Sequence, residues 1–306
     1  MKYNKLGKNG PMVSNICLGT WPIGGGMGTV SEKDCINTIE SSLDQGINFL
    51  DTAQMYLESE NILGKALEGK RDKIILASKL SSWNSVEDID LAIENSLREL
   101  KTDYIDLYQI HSWKTEIPME ETIARLINLS DKGYFKYLGV SNFNSEQIEE
   151  MNSHSGNRII SNQPHYSLLF RNSEIDPIPQ SHMLGIGSIV YSPIGRGLLT
   201  GKYKPGHNFE RNDARFGHTA FSKENFERGY KIYEVLYEWS KDKNYNVSQL
   251  VIAWTLHTTG VVSAICGAKN PEQAISNAQA GDINLTQDDL DEINKITKEL
   301  SIFDKT

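Results

Sequence analysis

Four titratable side chains stand where they could meet: Asp51, Tyr56, Lys79 and His111. Asp51, Lys79 and His111 each close a short apolar run, and Tyr56 follows Asp51 by five residues. A carboxylate, an ammonium and an imidazole at the ends of buried segments are costly to desolvate unless their charges pair. Each alone has a plainer explanation: Asp51 as a helix N-cap, Lys79 as a lysine reaching water along its stem, His111 as a hydrogen-bonded structural histidine. On consecutive segments, however, they point to one opening where protons are held and passed. The residues alone also leave open a Schiff-base lysine, Lys79, in a barrel lyase or isomerase of sugar phosphates.

The elements that must position these groups are short apolar runs alternating with amphipathic stretches. Strands are predicted at 16–19, 48–51, 74–79, 105–111, 137–141, 159–163, 188–191 and 262–265, rich in β-branched or aromatic residues as strands buried on both faces are. Helices are predicted at 34–45, 86–100 and 119–132 from apolar residues three and four apart, with stops at Gly46 and Gly133. As far as position 188 the strand starts lie 22 to 32 residues apart, one strand–helix–strand unit each. Eight such strands predict a closed (β/α)8 TIM barrel rather than an open sheet. The longer gap from 191 to 262 holds a Gly/Pro-rich loop at 193–218 and helical stretches at 226–243 and 247–257, so extra C-terminal helices are expected. Segments 3–6 and 12–14 around Asn9-Gly10 predict an N-terminal β-hairpin with a type I′ turn, plugging the barrel's bottom. No shift in composition marks a linker, and residues 1–306 are expected to form one domain.

Composition narrows the function further. Of 306 residues, 39% are hydrophobic and 23% charged, as in globular proteins, and the net charge of -9 argues against a nucleic-acid partner. Cys17, Cys35 and Cys266 form neither a disulfide framework nor a zinc site, so no metal is expected. No apolar signal-like start and no run of about 18 apolar residues is present, so no membrane partner and a cytoplasmic location are expected. Two glycine motifs mislead. Gly24 to Gly28 would need Gly at position 29, which is Thr29, to be a dinucleotide fingerprint. Gly64 to Lys70 resembles a phosphate loop, but Arg71 stands where Ser or Thr would hold magnesium, and Gly69 reads better as a helix C-cap.

Phe49-Leu50-Asp51-Thr52-Ala53 with Tyr56, then Ser59-Glu60 and Leu63-Gly64-Lys65-Ala66-Leu67, resembles the first signature of the aldo-keto reductases. Ala77-Ser78-Lys79 and Leu107-Tyr108-Gln109-Ile110-His111 are similar to the family's lysine and histidine strands. Ser141-Asn142, Asn162-Gln163, the run from Tyr191 to Gly197 and the run from Gly267 to Gln273 continue the likeness in order. The likeness reaches from Leu18-Gly19-Thr20-Trp21 to about Asn277, nearly the whole chain.

The resemblance implies NADPH-dependent reduction of aldehydes and ketones, with NADH possible and a small carbonyl or sugar as substrate. It implies a catalytic tetrad: Tyr56 as general acid, Lys79 lowering the phenol's pKa, Asp51 pairing the ammonium, and His111 orienting the substrate oxygen. Ser141, Asn142 and Gln163 would hold the nicotinamide carboxamide and Tyr191 would stack on its ring. Ser192 and Arg196 would contact the pyrophosphate, and Gly267, Lys269, Gln273 and Asn277 the adenosine end, where Lys269 could pair a 2′-phosphate. Trp21 and Trp113 would wall the substrate pocket. The run Tyr56-Leu57-Glu58-Ser59-Glu60 departs from the Tyr-Gly of many relatives. A sugar or alcohol dehydrogenase and a non-catalytic cofactor-binding subunit are the alternatives, and oligomeric state is left open.

Overall fold

The structure, a computed structural model, describes residues 1–81, 85–114 and 116–302. It opens on a hairpin of β1 (Tyr3–Lys5) and β2 (Met12–Ser14), in register at Lys5 and Met12. The type I′ turn expected at Asn9-Gly10 does not form. Such a turn needs positive φ at both central residues, whereas in this loop only Gly7 is left-handed, at φ 65°. The connection instead spans residues 6–11, with Leu6 N–H donating to Pro11 O. This wider turn frees Leu6 to bury its side chain completely.

Then come β3 (Ile16–Gly19), α1 (Glu32–Asp44), β4 (Phe49–Asp51), α2 (Ser59–Ala66), β5 (Ile75–Leu80), α3 (Ile89–Leu100) and β6 (Ile105–Ile110). They are followed by α4 (Met119–Asp131), β7 (Phe135–Ser141), α5 (Ser145–His154), β8 (Ile159–Gln163), α6 (Ile178–Met183) and β9 (Gly187–Tyr191). The last elements are α7 (Lys223–Ser240), α8 (Val247–Leu256), β10 (Val261–Gly267), α9 (Pro271–Ala280) and α10 (Gln287–Thr297). Strands β3 to β10 form a closed parallel barrel in which β10 returns to β3, and the predicted (β/α)8 barrel is formed.

Caps decide where several helices begin. The Ser31 side chain accepts from Asp34 N–H, which starts α1 two residues before the expected 34. A reciprocal Asn246–Gln249 capping box starts α8 at Val247, as expected. Gly46 and Gly133 take φ of 84° and 89° just beyond α1 and α4, as helix stops do. Helix α5 escaped prediction because it buries only Ile148, Met151 and Asn152, too thin a stripe for a periodic signal.

Side chains of a strand alternate between its two faces. Leu18, Leu50, Leu76 and Tyr108 face outward into the core shared with the helices. Cys17, Phe49, Ala77 and Leu107 face inward, where Leu6 and Val13 of the hairpin close the bottom, as expected. Two residues further along β4, β5 and β6 the inward face turns polar, at Asp51, Lys79 and Gln109; these and Gln163 on β8 are all at most 2% exposed. The site is thus one layer of the barrel's own interior. Among the described residues no helix is long and apolar enough to cross a membrane.

Candidate active site

Lys79 is fully buried. Its ammonium donates to Asp51 Oδ1 at 2.5 Å, to the Thr52 carbonyl at 2.8 Å and to the Tyr56 hydroxyl at 3.4 Å. Tyr56 is carried on the loop between β4 and α2, its ring edge-on to Trp21 at 4.8 Å and 5.7 Å from that of His111. The loop after β3 backs onto it so closely that a Cβ on Gly24 would lie 2.1 Å from the Tyr56 carbonyl. That approach explains Gly24, the first residue of the misleading glycine run. Gly69 is left-handed, at φ 73°, but α2 is capped at Leu67, so Gly69 shapes the turn after the helix and not its C-cap as expected.

Burial sets the protonation states. It presses the Lys79 ammonium down, but Asp51 and Tyr56 hold it above its ordinary value. Burial, aided by Asp51, pushes the Tyr56 phenol above its ordinary value although Lys79 pulls it down. The sequence-based expectation of a lowered phenol is therefore corrected: the ammonium's pull is present, but desolvation outweighs it. Burial, with help from Lys79, pushes His111 down to about 3, so the imidazole is neutral.

Above this layer lies a cavity of about 520 Å³, to which Asp51, Tyr56 and His111 contribute and into which Trp21 and Met55 face. Trp113 does not line this cavity, against expectation; its ring packs edge-on against the buried Phe143 at 6.3 Å. Ser141, Asn142, Gln163 and Tyr191 line the cavity beside the tetrad. The Tyr191 hydroxyl donates to Asn142 Oδ1 at 2.9 Å, and Ser141 Oγ to the Gln163 carbonyl at 3.0 Å. His165 stacks on Tyr191 at 5.1 Å, with 15° between the rings.

The sequence of the Aldo/keto reductase family matches residues 15–298 of this chain. The chain belongs to the aldo/keto reductase family. It is 36% identical to the aldo-keto reductase YhdN of Bacillus subtilis (strain 168), over 97% of this chain and 93% of that protein. The glycerol dehydrogenase AKR11B4 from Gluconobacter oxydans has a similar structure, with a TM-score of 0.86 at 29% identity over 99% of this chain and 97% of that one. So has the holo form of the aldo-keto reductase AKR11C1 from Bacillus halodurans, at 0.80 and 28% over 99% and 97%. This chain is accordingly an NAD(P)H-dependent oxidoreductase of a family that acts on small carbonyl compounds.

Beyond Tyr191 the aldo/keto reductase cavity continues as a trough. Ser192, Arg196, Gly267, Lys269, Gln273 and Asn277, all singled out from sequence, line it. Asn142, Ser192 and Arg196 take left-handed φ of 60°, 60° and 55°, and such conformations in non-glycine residues gather at ligand sites. Arg196 Nε is buried without a partner, as is Trp21 Nε1. Leu57 is also left-handed, at φ 49°.

Sequence reasoning missed Lys202, Tyr203, Arg215, Asn246, Ser248 and Ser276, which line the far end. Lys202 and Arg215 lie on the long loop after β9, read from sequence only as Gly/Pro-rich; no periodicity reveals its course, and its Lys and Arg residues are the signal that could have found them. Arg215 is held by Asp213, Nε to Oδ1 at 2.8 Å. Lys269 Nζ donates to the Met27 carbonyl, and Met27 bridges Asp213, so the loops after β3 and β9 meet beside the trough. Among the described residues no cluster of three or more His, Cys, Asp or Glu could hold a metal.

Proposed function

We propose that this aldo/keto reductase reduces aldehydes and ketones to alcohols with NADPH, Tyr56 serving as general acid. The observation that carries the reading is Lys79 Nζ, fully buried between Asp51 Oδ1 at 2.5 Å and the Tyr56 hydroxyl at 3.4 Å. Tyr56 gives its proton to the substrate oxygen, and the Lys79 ammonium stabilises the phenolate left behind. Asp51 keeps that ammonium charged and in place. His111, being neutral, donates from one ring nitrogen to the same oxygen and orients it. Bound nicotinamide would supply the hydride.

The remaining side chains suit a dinucleotide. Ser141, Asn142 and Gln163 would hold the carboxamide and Tyr191 would stack on the ring. Ser192 and Arg196 would take the pyrophosphate, for which the unpartnered Arg196 Nε is a ready donor. Gly267, Gln273 and Asn277 would border the adenosine. Lys202, Arg215 and Lys269 together line that end of the trough, and such a concentration of cations supports NADPH over NADH. Oxidation of an alcohol or sugar hydroxyl is the second reading, supported by the likeness to the glycerol dehydrogenase from Gluconobacter oxydans.

Fluorescence titration with NADPH and NADH, then addition of a simple aldehyde, tests the proposal. Tighter NADPH binding followed by loss of cofactor absorbance is expected. Tyr56→Phe should keep NADPH affinity and lose turnover by at least about a hundredfold. Near-normal turnover in that variant would reject the acid assignment. Binding without turnover across an aldehyde and sugar panel would favour a regulatory subunit.

A further inference from the structure

Asp51 has two oxygens in different company. Oδ1 faces Lys79, while Oδ2 accepts from two amides, Gln109 Nε2 at 3.1 Å and Gln163 Nε2 at 2.9 Å. Gln109 is fully buried on β6, and Gly139 on β7 leaves it room: a Cβ there would meet Gln109 Cγ at 3.1 Å and Ser161 Oγ at 2.4 Å. Gln163 Nε2 also donates to Gln109 Oε1 at 3.3 Å. A side-chain amide has two hydrogens, so both of those on Gln163 are already engaged, and neither is spare for a nicotinamide carboxamide.

We propose that Gln109 is a positioning residue that anchors Asp51 Oδ2 when Gln163 turns to the cofactor. The inference rests on the cofactor role given to Gln163 above. Gln163 can release Asp51 only because a second buried donor stays behind; otherwise a carboxylate oxygen in the barrel interior would lose its partners. The same anchor governs the acid. Asp51 charge raises the Tyr56 phenol, and an amide donor disperses that charge. Without Gln109 the Asp51 charge acts on Tyr56 less attenuated, so the phenol holds its proton to higher pH. Gln163 is then also retained on Asp51, and the cofactor competes with it.

Gln109→Met tests this, because methionine keeps length and volume but cannot donate. Two quantities are read against the unsubstituted chain: the NADPH Kd by fluorescence without substrate, and the alkaline limb of kcat for aldehyde reduction. We expect the Kd to rise about threefold or more and the limb to move up by about half a pH unit. A purely structural role would lower Tm and leave the limb where it was. An unmoved limb with unchanged Kd, or a limb displaced to lower pH, overturns the proposal. Should Gln109→Met not fold, Gln109→Asn, whose amide is too short to reach Asp51, is read on the same two scales. Absence of NADPH binding and turnover in the unsubstituted chain would instead overturn the functional reading itself.

Discussion

Burial and Asp51 keep the Tyr56 proton on, Lys79 draws it off, and burial prevails. The phenol is therefore loaded with its proton throughout the neutral range. With Tyr56 as the proposed acid, reduction uses the protonated phenol, so kcat should stay level across neutrality and fall only in alkali. Oxidation of the product alcohol needs the phenolate and should rise over the same alkaline range. His111 adds no break near neutrality, because burial holds it down to about 3. Profiles of kcat from pH 6 to 10 in both directions check this, and a break near pH 6.5 that His111→Gln removes would contradict it. That Asp51, Tyr56, Lys79 and His111 would gather was legible because each ends or follows a strand. The net direction of the phenol was not, since desolvation against an ammonium depends on how completely the barrel closes around both. Gln109 was half legible: it stands two residues before His111, on the same inward face, but its partner Gln163 is 54 residues away.

Strands and helices with a full apolar stripe could be read from their period, and the Ser31 cap explains the shifted start of α1. Loops could not. The glycine run 24–28 and the loop 193–218 read from sequence as a failed fingerprint and a Gly/Pro-rich connection. In the fold they meet through the Met27–Asp213 bridge and the Lys269 bond to Met27. Lys269 immediately precedes the Asn270 cap of α9, where helix dipole and ammonium both favour an anion. Burial lowers its pKa, as does the neighbouring Arg215, and a bound anion would raise it again. Lys269→Ala should weaken NADPH by about tenfold or more, the scale of one charged hydrogen bond, and NADH by much less. Equal losses for the two cofactors, measured by fluorescence titration, would remove Lys269 from the 2′-phosphate and leave it the part of a loop tie.

At the scale of the molecule, the barrel holds histidines neutral, and that links stability to pH. Burial, helped by Arg196 and His218, pushes His165 down to about 4, and His111 lies near 3. Both values lie below that of an exposed histidine, so the unfolded chain binds protons first as pH falls. Their contribution is complete above about pH 6.5 and is lost progressively as pH falls towards the folded values. At pH 5 each histidine should cost roughly 2 kcal/mol of unfolding free energy. Glu60 works in the opposite sense, because burial raises its carboxyl and its contribution is regained as pH falls. Comparing two chains that share Glu60 cancels that effect. His165 lies between the rings of Tyr191 and Phe170, at 5.1 Å and 5.0 Å, and His165→Phe keeps an aromatic ring there without a titrating group. Urea unfolding at pH 7.5 and pH 5 should show a smaller acid loss in that variant, by roughly 2 kcal/mol. An equal loss in both chains would mean that His165 titrates alike folded and unfolded. The wall behind Tyr191 would then be open to water, and the closed barrel interior on which the whole site depends would be breached at that strand.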